Sequence, residues 1–271
     1  MEGAVRFIPL SGLEGENLIE RSKCESAWYT GDTFIEMIDT FKCPERLIDH
    51  PFRLSIVDFY KGGIGGSGSS SISGRIESGG CQVGEQVRVM PLMEFAIVKR
   101  IEIDGTLVKF AVCGDNVVLG ISDIETSHLW YHLIQVMNDS FLIMNSVGFI
   151  LCDPEYPLQV ARRFTAQIVT FDLNVPLTIG VPVVFHHKSM TEPGFISKLI
   201  STIDKQTGKS VKENPRSLGK NMTASIQVTL NRPCCLELFS KNKSLGRFSL
   251  RVGSFTAAAG IGIIITIGFV S

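Results

Sequence analysis

Short apolar runs punctuated by turn residues constrain the fold of this chain more than any other feature. They recur at a spacing of roughly 8 to 12 residues, separated by Gly, Asp-Gly or Gly-Asp turns. The first set is FRLSIVDFY, SISGRIESG, EQVRVM, AIVKRIEI, VKFAV and NVVLGI, and the second is RRFTAQIVTF, PVVFHH, FISKLISTID, TASIQVTL, CCLELF, GRFSLR and the C-terminal run. This spacing is typical of an antiparallel sandwich or barrel, and 271 residues suit two domains in series. The sequence therefore predicts an all-β chain with two β domains.

One helix is predicted ahead of the β domains, over residues 31–41. Its apolar side chains recur at helical spacing and share one face. Thr33 and Glu36 occupy the positions of a capping box, in which each side chain bonds the other residue's backbone N–H. Pro44 ends the helix, and the following segment CPERLIDHP, with two prolines and no periodicity, is predicted to be a linker.

The overall charge gives no reason to expect DNA or a membrane surface as a partner. Lys and Arg together number 26 against 27 Asp and Glu, so the chain as a whole has no field that attracts a polyanion. The uncharged run from Phe255 to Val270 is shorter than the roughly 20 residues that cross a bilayer as a helix. Its glycines and β-branched residues favour a buried strand over a tail anchor. Seven cysteines without a CxxC pair fit reduced thiols, which predicts a cytoplasmic protein.

Motifs for catalysis or metal binding are weak, so no catalytic residue and no metal ligand is predicted. The string TGKS, residues 207–210, has Ile203 where a phosphate-binding loop requires its first glycine, and it is predicted to be a turn. The adjacent His186 and His187, and the pair in HLWYH, lack a third ligand at metal spacing.

Six strings stand out in order along the chain: FIPLSGLEGENL, WYTGDTFIEMIDTF, SGRIESG, FTAQIVTF, DKQTGKSVKENPRSL and LGRFSLR. Together they resemble the C-terminal two-thirds of the elongation factor Tu and elongation factor one-alpha class of translational GTPases. The resemblance covers nearly the whole chain. It implies two antiparallel β-barrels in series, preceded by a short strand and helix that form the C-terminal remnant of the GTP-binding domain.

The resemblance also implies domain boundaries and a nucleotide contact. Residues 1–50 are expected to be the remnant and linker helix, 51–152 the first barrel, with an inserted segment at 126–142, and 153–271 the second barrel. In the family, the turn that matches Ser11 and Gly12 helps to hold the guanine base. The intact family uses GTP and Mg²⁺, but this chain lacks the phosphate-loop, switch and guanine-specificity motifs. We therefore expect no cofactor in this chain, and enzymatic activity stays an open question.

The stretch HHKSMTEPGFISKLISTIDKQTGK resembles one branch of the class most strongly, the Hsp70 subfamily B suppressor-like (HBS-like) ribosome-rescue factors that partner Pelota. This predicts a truncated factor that binds a Pelota-like, release-factor-related protein and the small ribosomal subunit in translation quality control. The alternative is a fragment of a GTP-hydrolysing elongation or release factor that delivers tRNA or a release factor to the ribosome. The insertion at 126–142 is either a passive surface segment or a short docking helix.

Basic residues supply the candidate contacts with the ribosome or a partner. One cluster, which also includes Lys220, lies within a short stretch whose only acids are Asp204 and Glu213. A second group could instead form ion pairs within the protein, between the barrels. The candidates are Lys205, Lys209, Lys212 and Arg216 in the cluster, Arg75 in GRIESG, and Arg247 and Arg251 in GRFSLR.

We predict that the 271-residue polypeptide does not bind GTP specifically. Backbone amides and a lysine aimed at the phosphates supply most of the affinity in phosphate-binding loops, and the sequence contains no such loop. Titration with a fluorescent GTP analogue should give no saturable signal. Binding that GTP competes away and ATP does not would contradict this prediction.

Overall fold

The computed structural model describes residues 5–21, 28–42, 45–61, 70–122, 148–173 and 175–266. The glycine- and serine-rich loop and the insertion predicted at 126–142 lie outside the described residues. The chain divides into two compact units, Met1–Glu45 and Arg46–Ser271.

The first unit contains the predicted helix, α1, which spans Phe34–Asp39 and is shorter than the sequence indicated. The capping box is confirmed. The Thr33 hydroxyl accepts a hydrogen bond from the Glu36 N–H at 3.4 Å, and the Glu36 carboxylate accepts one from the Thr33 N–H at 2.8 Å. Hydrogen bonds from the Thr33 backbone N–H and from the Thr33 side chain to the carboxylate hold the pKa of Glu36 below its ordinary value.

The strand implied for the start of the chain is not present, so this part of the prediction is wrong. Residues 5–21 contain no helix or strand, and the side chain of Phe7 is 86% exposed. The described part of this unit holds no other strand with which Val5 to Leu10 could pair, so their backbone groups have no ladder to join. Asn17 fixes the segment locally, because its side-chain amide donates to the Pro9 carbonyl at 2.8 Å.

The first β domain is a closed antiparallel barrel, as the resemblance implied. Its strands are β1 (Arg53–Lys61), β2 (Ser70–Ser78), β3 (Gly80–Gln82), β4 (Gln86–Met90), β5 (Glu94–Ile103), β6 (Thr106–Val108), β7 (Phe110–Val112), β8 (Asn116–Ser122) and β9 (Ile150–Cys152). Six of them form a ring in the order β4, β9, β1, β2, β8, β5, and the pairing of β5 with β4 closes it. Strand β6 extends the sheet from β5, while β3 and β7 form a separate ribbon.

The second β domain closes in the same way. Its strands are β10 (Gln159–Thr170), β11 (Leu177–Thr178), β12 (Pro182–His187), β13 (Met190–Ile203), β14 (Ser210–Glu213), β15 (Ser217–Leu218), β16 (Thr223–Leu236), β17 (Arg247–Val252) and β18 (Phe255–Thr266). The ring runs β12, β17, β18, β10, β16, β13 and returns to β12. Strand β14 extends it from β13, and β11 pairs with β15. The predicted barrel architecture is confirmed in both domains.

The strings TASIQVTL and CCLELF, predicted as two strands, form the single strand β16. Its ladder with β10 jumps from Thr229, opposite Arg163, to Cys234, opposite Ala161. The exposed residues between them bulge from the ladder, and they include Pro233, which has no N–H to donate. The sequence analysis therefore predicted a break between two strands where the structure has a bulge within one strand.

Three phenylalanines fill the second barrel. The rings of Phe164, Phe185 and Phe248 lie 5.0 to 5.4 Å apart, centroid to centroid. Gly260 makes room for this cluster, since a Cβ at that position would lie 2.9 Å from Ile168 and 2.5 Å from the Phe248 ring. The C-terminal run therefore forms a barrel strand, as predicted. No helix in the described part of the chain is long and apolar enough to span a membrane.

A buried carboxylate, that of Glu77 at the end of β2, joins the two barrels. It accepts hydrogen bonds from Ser244 at 2.6 Å and from Ser55 at 2.8 Å, and it pairs with the Lys188 ammonium at 2.8 Å. Lys188 and Ser244 belong to the second barrel, on the β12–β13 turn and the β16–β17 loop. Burial alone would raise the pKa of Glu77, but these bonds outweigh burial and lower it.

Apolar contact accompanies this polar contact. A buried cluster takes side chains from both barrels, namely Met90, Ile150, Cys152, Leu158, Cys235 and Leu245. The five described cysteines are free and buried, which agrees with reduced thiols. Burial raises the pKa of Cys81 to about 12, so its thiol is unreactive.

We predict that Glu77→Gln lowers the free energy of unfolding by about 1–3 kcal/mol at neutral pH, because it leaves Lys188 without its buried counter-charge. Since the folded state lowers the pKa of Glu77, its contribution is present above the unfolded-state pKa and is lost as pH falls through the folded-state pKa. Urea unfolding between about pH 6 and pH 3 should therefore show a smaller loss of stability in the variant than in the unmodified chain.

Glu213→Gln is the matched control, since Glu213 is exposed on β14 and forms no ion pair among the described residues. It should leave the stability and its pH dependence nearly unchanged. Equal pH dependence in Glu77→Gln and the unmodified chain would show that the Glu77 contacts do not stabilise the folded state.

Candidate partner-binding and ribosome-binding surfaces

The predicted basic cluster lies on the hairpin formed by β13 and β14, which we call the basic hairpin and define as residues 204–216. Its four cations are all exposed: Lys205, Lys209, Lys212 and Arg216. Strand β14 is fully exposed and pairs only with the end of β13. The hairpin therefore presents several positive charges on a narrow projection, which suits contact with an acidic surface or with phosphates.

The turn of the basic hairpin is fixed by Asp204. Its carboxylate accepts hydrogen bonds from the N–H groups of Gln206 at 2.7 Å and Thr207 at 3.1 Å, and these bonds lower its pKa. The Asp204 carbonyl accepts a further bond from Gly208, whose φ of +67° is readily available to glycine. The string TGKS thus lies in a turn, as predicted, and the one acid at the tip is used to shape the loop.

The remaining predicted contacts lie apart from the basic hairpin. Arg75 is exposed on β2 of the first barrel. The Arg247 guanidinium lies 5.3 Å from the centre of the Phe239 ring, and Arg251 donates to the Ser254 carbonyl at 2.8 Å. Neither forms an ion pair between the barrels among the described residues; Glu77 with Lys188 and Arg53 with Glu237 do so instead.

Ser11 and Gly12 lie in the first unit, in a compact turn. The Ser11 hydroxyl accepts a hydrogen bond from the Glu14 N–H at 3.2 Å, and its carbonyl accepts one from the Gly15 N–H at 2.9 Å. The turn that the sequence indicated is therefore formed. These contacts are all local, and a role with nucleotide stays a prediction.

The adjacent histidines have separate environments. His187 is buried, and its Nε2 lies 2.8 Å from the Leu245 carbonyl, so this nitrogen carries the proton. Burial lowers its pKa, which keeps the ring neutral. His186 points outward and bonds Thr191. Among the described residues, no group of three His, Cys, Asp or Glu side chains is placed to hold a metal ion.

The sequence did not reveal an uncharged outer surface on the second barrel. We call it the uncharged face, and it comprises Thr165, Gln167, Val169, Phe171, Ser225, Gln227, Ala259, Ile261 and Ile263. Strand register brings these residues together, since Val169 pairs with Ala259, and Gln167 pairs with Ile261 on one side and Ser225 on the other. Phe171 is 42% exposed and Val169 is 38% exposed.

The composition of the uncharged face suits a protein partner. Its apolar groups lie along β18 and at the end of β10, and its polar groups lie on β16 and along β10. Lys198 and Arg247 border it through their pairing with Gln227 and Ile261. Protein interfaces are depleted of charge at their core and have a polar rim. Alternation in FTAQIVTF places four of these side chains on one side of β10, so the sequence indicated part of the uncharged face. It could not indicate which residues of β16 and β18 lie beside them.

The second barrel also matches a known family. Residues 163–263 match the GTP-eEF1A C-terminal domain-like family. Together with the fold, this match confirms the sequence resemblance to the class of translation factors that includes elongation factor Tu and elongation factor 1-alpha.

Particular relatives extend the match over both barrels. The chain is 38% identical to Protein HBS1 of Drosophila melanogaster over 259 residues, which is 95% of this chain and 36% of that protein. It is 34% identical to elongation factor 1-alpha of Cenarchaeum symbiosum over 257 residues, 95% of this chain and 54% of that protein. A crystal structure of sup35 complexed with GDP superposes with a TM-score of 0.69 and 27% identity, covering 98% of this chain and 60% of that one. The chain thus spans about a third to a half of the length of these curated relatives.

We predict that Asp204→Ala loosens the basic hairpin without unfolding the barrel. Loss of the bonds to Gln206 and Thr207 should speed exchange of their amide protons by about tenfold, as measured by hydrogen exchange and NMR. Asp172→Ala is the control, because it removes a different exposed acid that pairs with Lys220 at 2.6 Å. Unchanged exchange in Asp204→Ala would mean that the carboxylate does not order the turn.

Proposed function

We propose that this protein is a ribosome-rescue factor of translation quality control that binds a Pelota-like, release-factor-related partner and acts at the small ribosomal subunit. The observation that carries the proposal is the 38% identity to Protein HBS1, which runs through both barrels over 259 residues. The place of action would be the cytoplasm. GTP and Mg²⁺ would belong to the family's GTP-binding domain and not to the barrels.

The uncharged face supports the partner-binding part of this proposal. It lies on β10, β16 and β18 of the second barrel, whose interior is closed and filled by its own side chains. Such a barrel keeps its shape when a partner docks, so little ordering cost opposes binding. Val169 and Phe171, at the end of β10, would be the apolar anchors of the contact.

The basic hairpin supports the ribosome-binding part. Its exposed cations have no buried pairing to break, and they project on flexible stems from a short turn that Asp204 holds. Charges in this position attract a polyanionic surface over roughly a Debye length and act mainly on the rate of association.

The elongation-factor alternative has support from the 34% identity to elongation factor 1-alpha. Under this alternative the basic hairpin would contact tRNA, and the uncharged face would have no Pelota-like partner. The two functions therefore differ in which ligand the purified chain binds.

We expect the full chain to bind purified Pelota in calorimetric titration and to bind aminoacylated tRNA much more weakly. Val169→Glu should weaken Pelota binding by about tenfold or more, since a carboxylate would be buried without a partner in the contact. Val57→Glu is the matched control, because Val57 is 50% exposed on the first barrel, away from this face. It should change the affinity by less than about twofold.

Binding of tRNA without binding of Pelota would replace the rescue function with the elongation alternative. Equal losses in Val169→Glu and Val57→Glu would remove the uncharged face from the proposal while leaving the partner in place.

The basic hairpin has a separate test. Replacing Lys205, Lys209 and Lys212 together with Gln should slow association with the small ribosomal subunit and flatten its salt dependence, with little change in dissociation. Stopped-flow association at several salt concentrations measures this. An unchanged salt dependence would show that the hairpin does not face the ribosome.

A further inference from the structure

A cleft of about 440 Å³ lies at the seam between the two barrels. Its lining comes from the segment before β1, the ends of β2 and β16, the start of β10 and the β16–β17 loop. Cavities of roughly 300–1,000 Å³ at domain interfaces are the usual sites of small-molecule binding. Neither the basic hairpin nor the uncharged face includes this cleft.

The cleft is lined by a buried and incompletely bonded ion pair. The side chains of Arg53 and Glu237 are only 5% and 14% exposed, yet one contact of 3.4 Å joins them. Charge-assisted N–H···O bonds are ordinarily about 2.7–2.9 Å long. Arg53 Nε and Glu237 Oε2 are buried without a hydrogen-bond partner among the described residues. One donor and one acceptor are therefore left open in adjacent groups.

The rest of the lining divides into an apolar wall and a cationic rim. Leu158 and Leu236 are buried, and they line the cleft together with Leu238 and Pro51. Lys241 is exposed at the rim, so a group that enters the cleft meets a second cation. The donor and acceptor, the extra cation and the apolar wall define a ligand that is polar at one end and apolar at the other.

We propose that the cleft binds a small zwitterion with an apolar side chain, of the free α-amino acid class. Its carboxylate would accept from Arg53 and Lys241, its ammonium would donate to Glu237, and its side chain would pack against the leucines of the wall. A simple anion would leave Glu237 Oε2 without a donor and would face a carboxylate, and a simple cation would leave Arg53 Nε without an acceptor. A zwitterion satisfies both.

Admission of this ligand requires the buried ion pair between Arg53 and Glu237 to open. Arg53 Nε and Glu237 Oε2 are both shielded from solvent, so the guanidinium and the carboxylate must each turn toward the cleft when the ligand enters. This movement breaks one long hydrogen bond of 3.4 Å, whereas Arg53 keeps its bond to the Phe52 carbonyl at 2.9 Å. The ligand's two charged groups then replace the broken bond with shorter ones.

The test is a titration of the full chain with L-leucine, followed by two-dimensional amide NMR. We expect saturable shifts at the amides of Ser78, Leu238 and Asn242, with dissociation constants on the order of millimolar. N-acetyl-leucine lacks the ammonium and leucinamide lacks the carboxylate, so each should bind about tenfold more weakly than leucine. Glycine lacks the apolar side chain and should bind more weakly for that reason.

Two variants localise the effect. Gln159→Trp fills the cleft from an exposed position and should abolish the shifts, while Gln86→Trp, an exposed glutamine that also begins a strand, should not. Glu237→Gln keeps a bond to Arg53 but removes the charge that pairs with the ammonium, so it should weaken leucine binding. The dispersion of each spectrum shows whether the variant is folded.

Absence of saturable shifts up to about 20 mM leucine would overturn the proposal and leave the cleft to solvent. Binding of N-acetyl-leucine as tight as that of leucine would also overturn it, since the ammonium would then have no role. Shifts that persist in Gln159→Trp would place the ligand elsewhere on the protein.

Discussion

The carboxylate of Glu77 is the contact on which the arrangement of the two barrels depends. It ends β2 in the first barrel and binds two separate loops of the second barrel through Lys188 and Ser244. A buried charge is costly unless several partners satisfy it, and here a hydroxyl of its own barrel, Ser55, completes the set. Because the partners come from both sides, the barrels cannot separate without exposing a lysine and a carboxylate that have lost their bonds. The polar contact therefore fixes orientation, and the neighbouring apolar cluster adds buried area.

Barrel closure explains why binding surfaces can be assigned to the outside of the second barrel. In each ring the last strand pairs with the first, so the six strands leave no open edge within the ring. The three phenylalanines pack against one another inside the second barrel. The outward side chains of β10, β16 and β18 are therefore not part of this core. An uncharged surface that the core does not need carries some risk of aggregation, and a bound partner of the kind proposed would cover it.

Sequence patterning predicted the strands well and the surfaces poorly, for a physical reason. Alternation within a strand shows which side chains share a side, so the pattern in FTAQIVTF is enough to assign Phe164, Ala166 and Ile168 to one core. Partners across the sheet depend on register, which is why Val169 and Ala259 could not be placed together. Contacts at long range were less accessible still, since Glu77 and Lys188 are ion-paired across more than a hundred residues. The strand implied for Val5 to Leu10 is not formed, because a β-strand requires a neighbouring strand to pair with. The described part of its unit contains no such strand.

The two proposed surfaces on the second barrel would affect different steps of binding. The basic hairpin would raise the rate of association, and the uncharged face would lengthen the lifetime of the complex. Exposed lysines on the basic hairpin attract at a distance but contribute little once contact is made, because water and salt screen them. The uncharged face has the opposite character, since apolar groups act only at contact and slow dissociation by excluding water. These surfaces are neighbours in the sheet, since Ser225 of the uncharged face pairs with Ser201, which in turn pairs with Glu213 of the basic hairpin. A factor that must find a large polyanion and retain a protein partner would need both properties, and this barrel would supply them from adjoining strands.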